Sequence, residues 1–387
     1  MRTAGIICEY NPFHLGHEKQ LRILRERLGE DTAAVCLMSG NYVQRGAPAV
    51  FDKMTRARAA VEAGADLVLE LPITGVLSSA EGFAKTGVEV LDRLGTVDTL
   101  CFGCEYGDGA ALMETARTLL REDYAAALSA AMETGISYPA ARQRVLESLG
   151  GNGTVLESPN DILGVEYCKA LLERGSKIEL LAILRAGDYH AETPDAENPS
   201  ASAVRSLLEA GEDWRNFVPQ TLRSLYENAE VHTMQAGERA VLARLRGLSP
   251  EQWARTAHGG EGLWSKVMKA AWEAESVEEI LTAAKSKRYP RTRLQRLLLC
   301  AYLGVTEEDL KRPVSYVRVL AFDEKGAGVL RQAKKCGSIS IINAGGQPED
   351  GTYWELERRA ARLFGLFAAG KIETMTEEKQ RIYHKKL

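Results

Sequence analysis

Two histidines three residues apart, His14 and His17, flank Gly16 at the end of the stretch AGIICEYNPFHLGH, residues 4–17. The apolar run from Ala4 to Cys8 predicts a buried parallel strand. Asn11-Pro12 forces a turn because proline fixes φ, and an amphipathic pattern begins near Gly16. The order is strand, tight loop, helix start. Free backbone N–H groups, the positive end of the helix dipole and two imidazole donors then converge on one spot, which suits a phosphate. Imidazoles that donate to the oxygens of a pentavalent α-phosphate stabilise charge that grows in the transition state. Gly16 has no Cβ to block a nucleotide's approach. The chemistry predicted is adenylyl transfer. A bare pair of histidines at this spacing also occurs on ordinary helices, so the strand and the Asn-Pro turn ahead of it carry much of the signal.

The elements that must position this pair follow in order. A helix is expected from about Gly16 to Leu28, and a second strand over Ala33 to Met38. The loop Ser39 to Gly46 has glycines and donors that would let it close over a ligand. A helix over Asp52 to Ala63 carries Lys53, Arg56 and Arg58 early; basic residues there oppose the dipole, which fits either an anionic partner or a solvated face. Phosphate contact by Lys53 or Arg56 is one reading. Asp66 to Pro72 and Thr99 to Phe102 read as further strands, separated by a helix over Ala80 to Leu94. Strands alternating with helices call for a doubly wound parallel sheet, whose ligands bind beyond the carboxyl ends of its strands. Gly103 and the histidine loop then share one edge.

Beyond a mostly helical stretch to Leu149, Gly150 to Gly153 makes a turn with no Gly-Lys-Ser/Thr after it, so a P-loop is excluded. Ser158-Pro159-Asn160-Asp161 reads as a helix start with a polar cap, and Ile178 to Leu184 as a fifth strand with Arg185 at its end. Asn160 fits a cap as well as a ligand contact, and Arg185 a surface charge. The polar stretch Gly187 to Pro199 reads as a mobile loop. Ser200 to Arg205 sets small hydroxyl residues at a helix start with an arginine one turn on, a pattern that can bind phosphates or simply cap a helix.

Composition bounds the rest. A chain of 387 residues exceeds one typical domain, and 45% hydrophobic with 26% charged residues is ordinary for a globular protein. No apolar run approaches the length of a membrane span, and Met1-Arg2-Thr3 leads straight into the first strand, so a cytoplasmic protein without a signal peptide is expected. A net charge of -4 argues against a generally basic coat but allows a local patch. One such patch is Lys285 to Arg296, KSKRYPRTRLQR, with six positive charges and no acid in twelve residues. With one aromatic, it suits a nucleic-acid backbone and a stacked base. Seven cysteines, an odd number in apolar segments, fit reduced buried thiols. Cys101 and Cys104 have CxxC spacing but lack a second pair or a nearby histidine, which leaves a strand end as the simpler reading.

His14-Leu15-Gly16-His17 resembles the HxGH signature of the adenylyltransferase and class I aminoacyl-tRNA synthetase superfamily. With Glu9-Tyr10-Asn11-Pro12-Phe13 ahead of it, the stretch is similar to the bacterial tRNA(Met) cytidine acetate ligase family. Ser200-Ala201-Ser202-Ala203-Val204-Arg205 resembles the second superfamily signature, ISSTxIR, and departs from it at Ala201. The likeness extends through Phe102-Gly103, Ser158 to Asp161, Arg185 and the basic stretch.

The resemblance implies an α/β fold: a Rossmann-like HxGH nucleotidyltransferase domain with a parallel sheet over residues 1–206, a helical, tRNA-binding domain over 207–312, and a small α/β C-terminal domain over 313–387. It implies a ligase that activates acetate with ATP as acetyl-adenylate and acetylates N4 of the wobble cytidine of elongator tRNA(Met). In that reading His14 and His17 stabilise the α-phosphate. Ile7, Cys8, Glu9, Tyr10, Asn11, Pro12, Phe13, Leu15, Gly16, Glu18, Lys19 and Gln20 cradle ATP, with Gly103, Asn160 and Arg185 at nucleotide-binding positions. Ser202 and Arg205 hold the pyrophosphate, and Ser200 is a cap. Lys285, Lys287, Arg288, Arg291, Arg293 and Arg296 face the tRNA. Mg2+ bridges the ATP phosphates with mostly water ligands, so no protein ligand is named. Cys104 stands where a serine is expected, so any hydroxyl role there lapses. On the residues alone, a small-molecule adenylyltransferase of the nicotinamide or pantetheine phosphate type and a non-catalytic ATP-sensing RNA-binding protein remain open.

Overall fold

The first strand, β1 (Thr3–Cys8), lies at the centre of an eight-stranded sheet in a computed structural model that describes residues 2–185, 199–286 and 288–386. The other strands are β2 (Ala33–Ser39), β5 (Leu67–Leu71), β6 (Thr99–Cys104), β7 (Glu179–Leu184), β8 (Tyr316–Phe322), β9 (Ser340–Asn343) and β10 (Tyr383–His384), while β3 (Tyr42–Val43) and β4 (Ala47–Pro48) form a separate hairpin. The sheet runs β10-β8-β5-β2-β1-β6-β7, with β9 also paired to β8. Its pairs are parallel except β5 with β8. This is the doubly wound arrangement expected of alternating strands and helices.

The period of two along β2 divides the core. Ala33, Val35 and Leu37 pack on one side, under the Ala80–Arg93 and Pro159–Arg174 helices, while Ala34, Cys36 and Met38 pack on the other, under the Leu15–Leu28 and Lys53–Glu62 helices. The same alternation places Cys101 and Cys104 on opposite faces of the sheet. They cannot share a site, and burial pushes their thiols up to about 12 and about 11.

Residues 207–303 contain helices and no strand of the sheet among the described residues, as the period predicts. Their core, around Trp253, Leu245 and Leu297, is closed by Tyr42 and Leu77 from the N-terminal part and by Leu356, Phe364 and Phe367 from the C-terminal part. The C-terminal segment does not form the separate α/β unit expected of it. Its strands complete the main sheet, because the YVRVLAF sequence of β8 is apolar on both faces but for Arg318, whose charge is paired inside the fold, and so is buried within a layer. The polar stretch 187–198, read as a mobile loop, lies outside the described residues, as does Lys287. No helix among the described residues is long and apolar enough to cross a membrane.

Candidate active site

His14 is the N-cap of the Leu15–Leu28 helix, and the two histidines close a reciprocal box around it. Gly16 N–H donates to His14 Nδ1 at 3.1 Å, and His14 N–H donates to His17 Nδ1 at 3.3 Å. Both Nδ1 atoms accept, so each neutral ring carries its proton on Nε2. The rings stack with centroids 3.7 Å apart, and Tyr10 and Phe13 meet the His17 ring at 4.8 and 5.4 Å. Their orientation is therefore set by packing before any ligand arrives. Burial lowers His14 to about 3, with the charges of Arg185 and Arg205 acting in the same direction. Burial, then His14 and Arg185, likewise holds His17 well below its ordinary range. Two neutral Nε2–H donors thus lie close to two fixed guanidiniums, an arrangement suited to an anion that gains charge.

The loop ahead of the helix is held from all sides. Tyr10 has a φ of 44° and is buried with Phe13. Asn11 Oδ1 accepts from Val50 N–H at 2.7 Å, and the Asn11 carbonyl accepts from Arg205 at 2.6 Å. These side chains shape the loop from inside, which leaves contact with a ligand there to its backbone. A Cβ on Gly16 would come within 2.9 Å of His14 Cε1, so the missing side chain serves the histidine cap as well as any approaching nucleotide. Gln20 hydrogen-bonds Cys101 beneath the loop.

The other predicted residues gather at the same sheet edge. The Arg185 side chain lies across Gly103, where a Cβ would come within 2.9 Å of it. Asn160 Nδ2 donates to Glu105 Oε1 at 2.5 Å. Asp161 Oδ1 accepts from the Glu105 and Tyr106 N–H groups at 2.9 and 3.0 Å, so it pins the loop after β6 to the start of the Pro159–Arg174 helix. Glu105 and the role of Asp161 escaped the sequence reading, in which Ser158 to Asp161 was a helix cap; in the structure Ser158 makes no capping bond. Ser200 caps the Ala201–Ala210 helix by accepting from Ala203 N–H, Ser202 is exposed beside it, and Arg205 reaches back to the histidine loop.

The family model described as HIGH Nucleotidyl Transferase matches residues 1–380. The tRNA(Met) cytidine acetate ligase of Acetivibrio thermocellus is 36% identical over 365 residues, 88% of each chain. That of Clostridium perfringens is 35% identical over 385 residues, 95% of each chain. The chain belongs to the tRNA(Met) cytidine acetate ligase family. Crystal structures of Thermotoga maritima TmcAL agree over the full length of both chains. The apo form has a TM-score of 0.92 at 29% identity, and the form bound with alpha-thio ATP has a TM-score of 0.89 at 28% identity.

Two expectations for this family member are corrected. Lys53 and Arg56 are not phosphate ligands. Lys53 Nζ is buried between Glu70 at 2.7 Å and Glu377 at 2.5 Å, and Arg318 joins the same carboxylates together with Glu357. Arg56 is buried and donates to the carbonyls of Glu9, Ser39, Gly40 and Phe51, tying the ends of β1 and β2 together. Nor does the loop after β2 hang free to close. Tyr42 and Val43 pair with Pro48 and Ala47, and the Tyr42 hydroxyl donates to the Ala360 carbonyl at 3.0 Å.

The basic stretch divides by exposure. Lys285 and Arg288 are exposed, Arg291 and Arg293 are half-buried, and Arg296 is only 9% exposed, so it does not share an open face with Arg293 as the helical spacing suggests. Arg291 pairs with Glu278, and Arg288 and Arg293 lie near Glu261 and over the Tyr289 ring. Among the described residues no group of three His, Cys, Asp or Glu side chains could hold a metal ion.

Proposed function

We propose that this protein is an ATP-dependent ligase that activates acetate and acetylates N4 of the wobble cytidine of elongator tRNA(Met). The observation that carries the reading is the locked pair of neutral imidazoles, with Nε2–H on each ring and Arg185 and Arg205 beside them, in a chain similar to ligases of that name over nearly its whole length. An acetate oxygen attacks the α-phosphorus of ATP, pyrophosphate leaves, and the charge on the α-phosphate oxygens is met by His14 and His17. Arg205, with Ser202 and the start of the Ala201–Ala210 helix, holds the leaving pyrophosphate. The N4 amine of cytidine then attacks the acetyl carbonyl, adenylate leaves with the C–O electron pair, and the amine loses a proton. Among the described residues no side-chain cluster would hold Mg2+, which would come with the nucleotide and supply charge neutralisation at its phosphates.

Gly103, Asn160 and Arg185 contact the nucleotide, and the exposed cations of the Lys285–Arg296 stretch take phosphates of the tRNA. The test is ATP consumption by the purified protein with acetate, with and without bulk bacterial tRNA, followed by nucleoside mass analysis. Acetate-dependent turnover that yields an acetylated cytidine supports the ligase. Turnover with unmodified tRNA would point to a small-molecule adenylyltransferase, and no turnover to a binding protein.

A further inference from the structure

Between Thr32 and Ala57 a single residue is exposed, and it is an arginine, Arg45. Its neighbours are pinned on both sides. The N–H of Gln44 donates to Glu9 Oε1 at 2.7 Å, in the loop that leads to His14, and the Gln44 side chain reaches the Ser78 carbonyl at 3.3 Å. On the other side Gly46, with a φ of 81°, presses its backbone on the middle of the Arg291–Leu303 helix; a Cβ there would lie 2.5 Å from Arg296 N and 2.6 Å from the Gln295 carbonyl carbon. A second link runs parallel to it. His258 Nε2 meets the Leu77 carbonyl at 2.6 Å, and the His258 carbonyl accepts from Arg293. The β3–β4 hairpin is therefore a rigid spacer between the HxGH loop and the basic helix, and Arg45 stands at its tip. Its positive charge also reaches Glu9, where it acts with those of Arg205 and Arg56.

Building on the function proposed above, we propose that Arg45 binds a backbone phosphate of the acceptor RNA next to the reacting cytidine. It thereby sets the register between the RNA on the Lys285–Arg296 face and the acyl-adenylate at His14 and His17. A planar guanidinium on a fixed hairpin suits that task, because it offers paired donors to a phosphate with little ordering left to do on binding.

The experiment compares Arg45→Ala, Arg45→Lys and the wild type in two assays: acetate-dependent exchange of pyrophosphate into ATP, which needs no tRNA, and acetylation of tRNA across a salt series. The expected result is exchange within twofold of wild type for both variants. For Arg45→Ala, kcat/KM for tRNA falls ten- to hundredfold and the salt slope drops by about one; Arg45→Lys recovers most of that loss. Exchange that falls in step with acetylation would assign Arg45 to ATP and overturn the inference, as would unchanged tRNA kinetics. A wild type that exchanges pyrophosphate but leaves tRNA unmodified overturns the reading of function on which the inference rests, whereas an active wild type with an indifferent Arg45→Ala variant overturns the inference alone.

Discussion

Replacing His17 by alanine separates the chemistry of the site from its architecture. The substitution removes the Nε2–H proposed to meet the α-phosphate, the acceptor of the His14 N–H, and the ring that stacks 3.7 Å from His14. Loss of one preorganised donor to a developing oxyanion costs a factor of about 10²–10³ in rate, or about 2.7–4 kcal/mol of transition-state stabilisation. The structural loss is one hydrogen bond and three ring contacts, to His14, Tyr10 and Phe13, about 2–6 kcal/mol together. Against a typical stability of about 5–15 kcal/mol that is a large share, so the thermal midpoint of the variant is measured alongside its activity. Acetate-dependent pyrophosphate exchange should therefore fall at least about a hundredfold. Binding of tRNA, measured by filter retention, should stay within about twofold, because the His17 ring packs on its own loop, at Tyr10, Phe13 and His14. A folded His17→Ala variant that exchanges within fivefold of wild type would refute the assignment of the imidazoles to the α-phosphate.

Three further outcomes follow from the geometry. His14 is lowered to about 3 while its unfolded value stays near 6.5, so the unfolded chain binds the extra proton and stability contributed at this site falls as the pH drops from about 6.5 towards 3. Urea midpoints at pH 7.5 and 5.0 should show a smaller drop for His14→Asn than for wild type, and an equal drop would contradict the burial argument. Lys53→Met removes one of the two cations shared by Glu70 and Glu377 and leaves them only Arg318; breaking this buried cluster should cost about 3–5 kcal/mol, read as a lower thermal midpoint. A loss of exchange at unchanged thermal midpoint would restore Lys53 as a phosphate ligand. Lys285→Ala with Arg288→Ala removes two exposed cations and should weaken tRNA binding and reduce its salt slope by about two while exchange persists. Unchanged affinity would move the RNA surface elsewhere.

The parts of this molecule legible in its sequence are those that local patterns dictate. The β1 run, the Asn-Pro turn and the HxGH pair specify strand, loop and capped helix within fourteen residues, and the structure returns that order with His14 as the cap. The alternation of strands and helices up to Leu184 likewise yields the parallel part of the sheet. What escaped depends on contacts between residues far apart in the chain. Lys53 and Arg56 looked available to a phosphate because their own helix offers them no partner; their partners are a carboxylate 324 positions away and a set of strand-end carbonyls. Arg296 falls on the expected helix, but Gly46 covers it from a hairpin 250 residues earlier in the chain. Asp161 could have been found sooner: an aspartate at the third position of a helix, after a proline and an asparagine, is placed to accept from a neighbouring loop as readily as from its own first turn.

The buried charges explain why the C-terminal segment is part of the catalytic body. Arg318 enters from β8, Glu357 from the Gly351–Phe364 helix and Glu377 from the turn Glu377–Lys379, and they meet Lys53 and Glu70 beside Gly40. Gly40 lies so close that a Cβ there would overlap Glu70 Oε1. Five charged side chains from five separate elements thus hold up the point where β2 gives way to the β3–β4 hairpin. Each of them is costly to bury alone and tolerable only with its partners present. Burial pushes the Glu70 carboxyl up to about 7 even so, with Lys53 drawing it back down. Because the hairpin spaces the histidine loop from the basic helix, the register between the two candidate substrate sites depends on residues more than 270 positions downstream of Gly40. That dependence runs within one sheet, from β8, which carries Arg318, to β1, the strand that leads into the histidine loop.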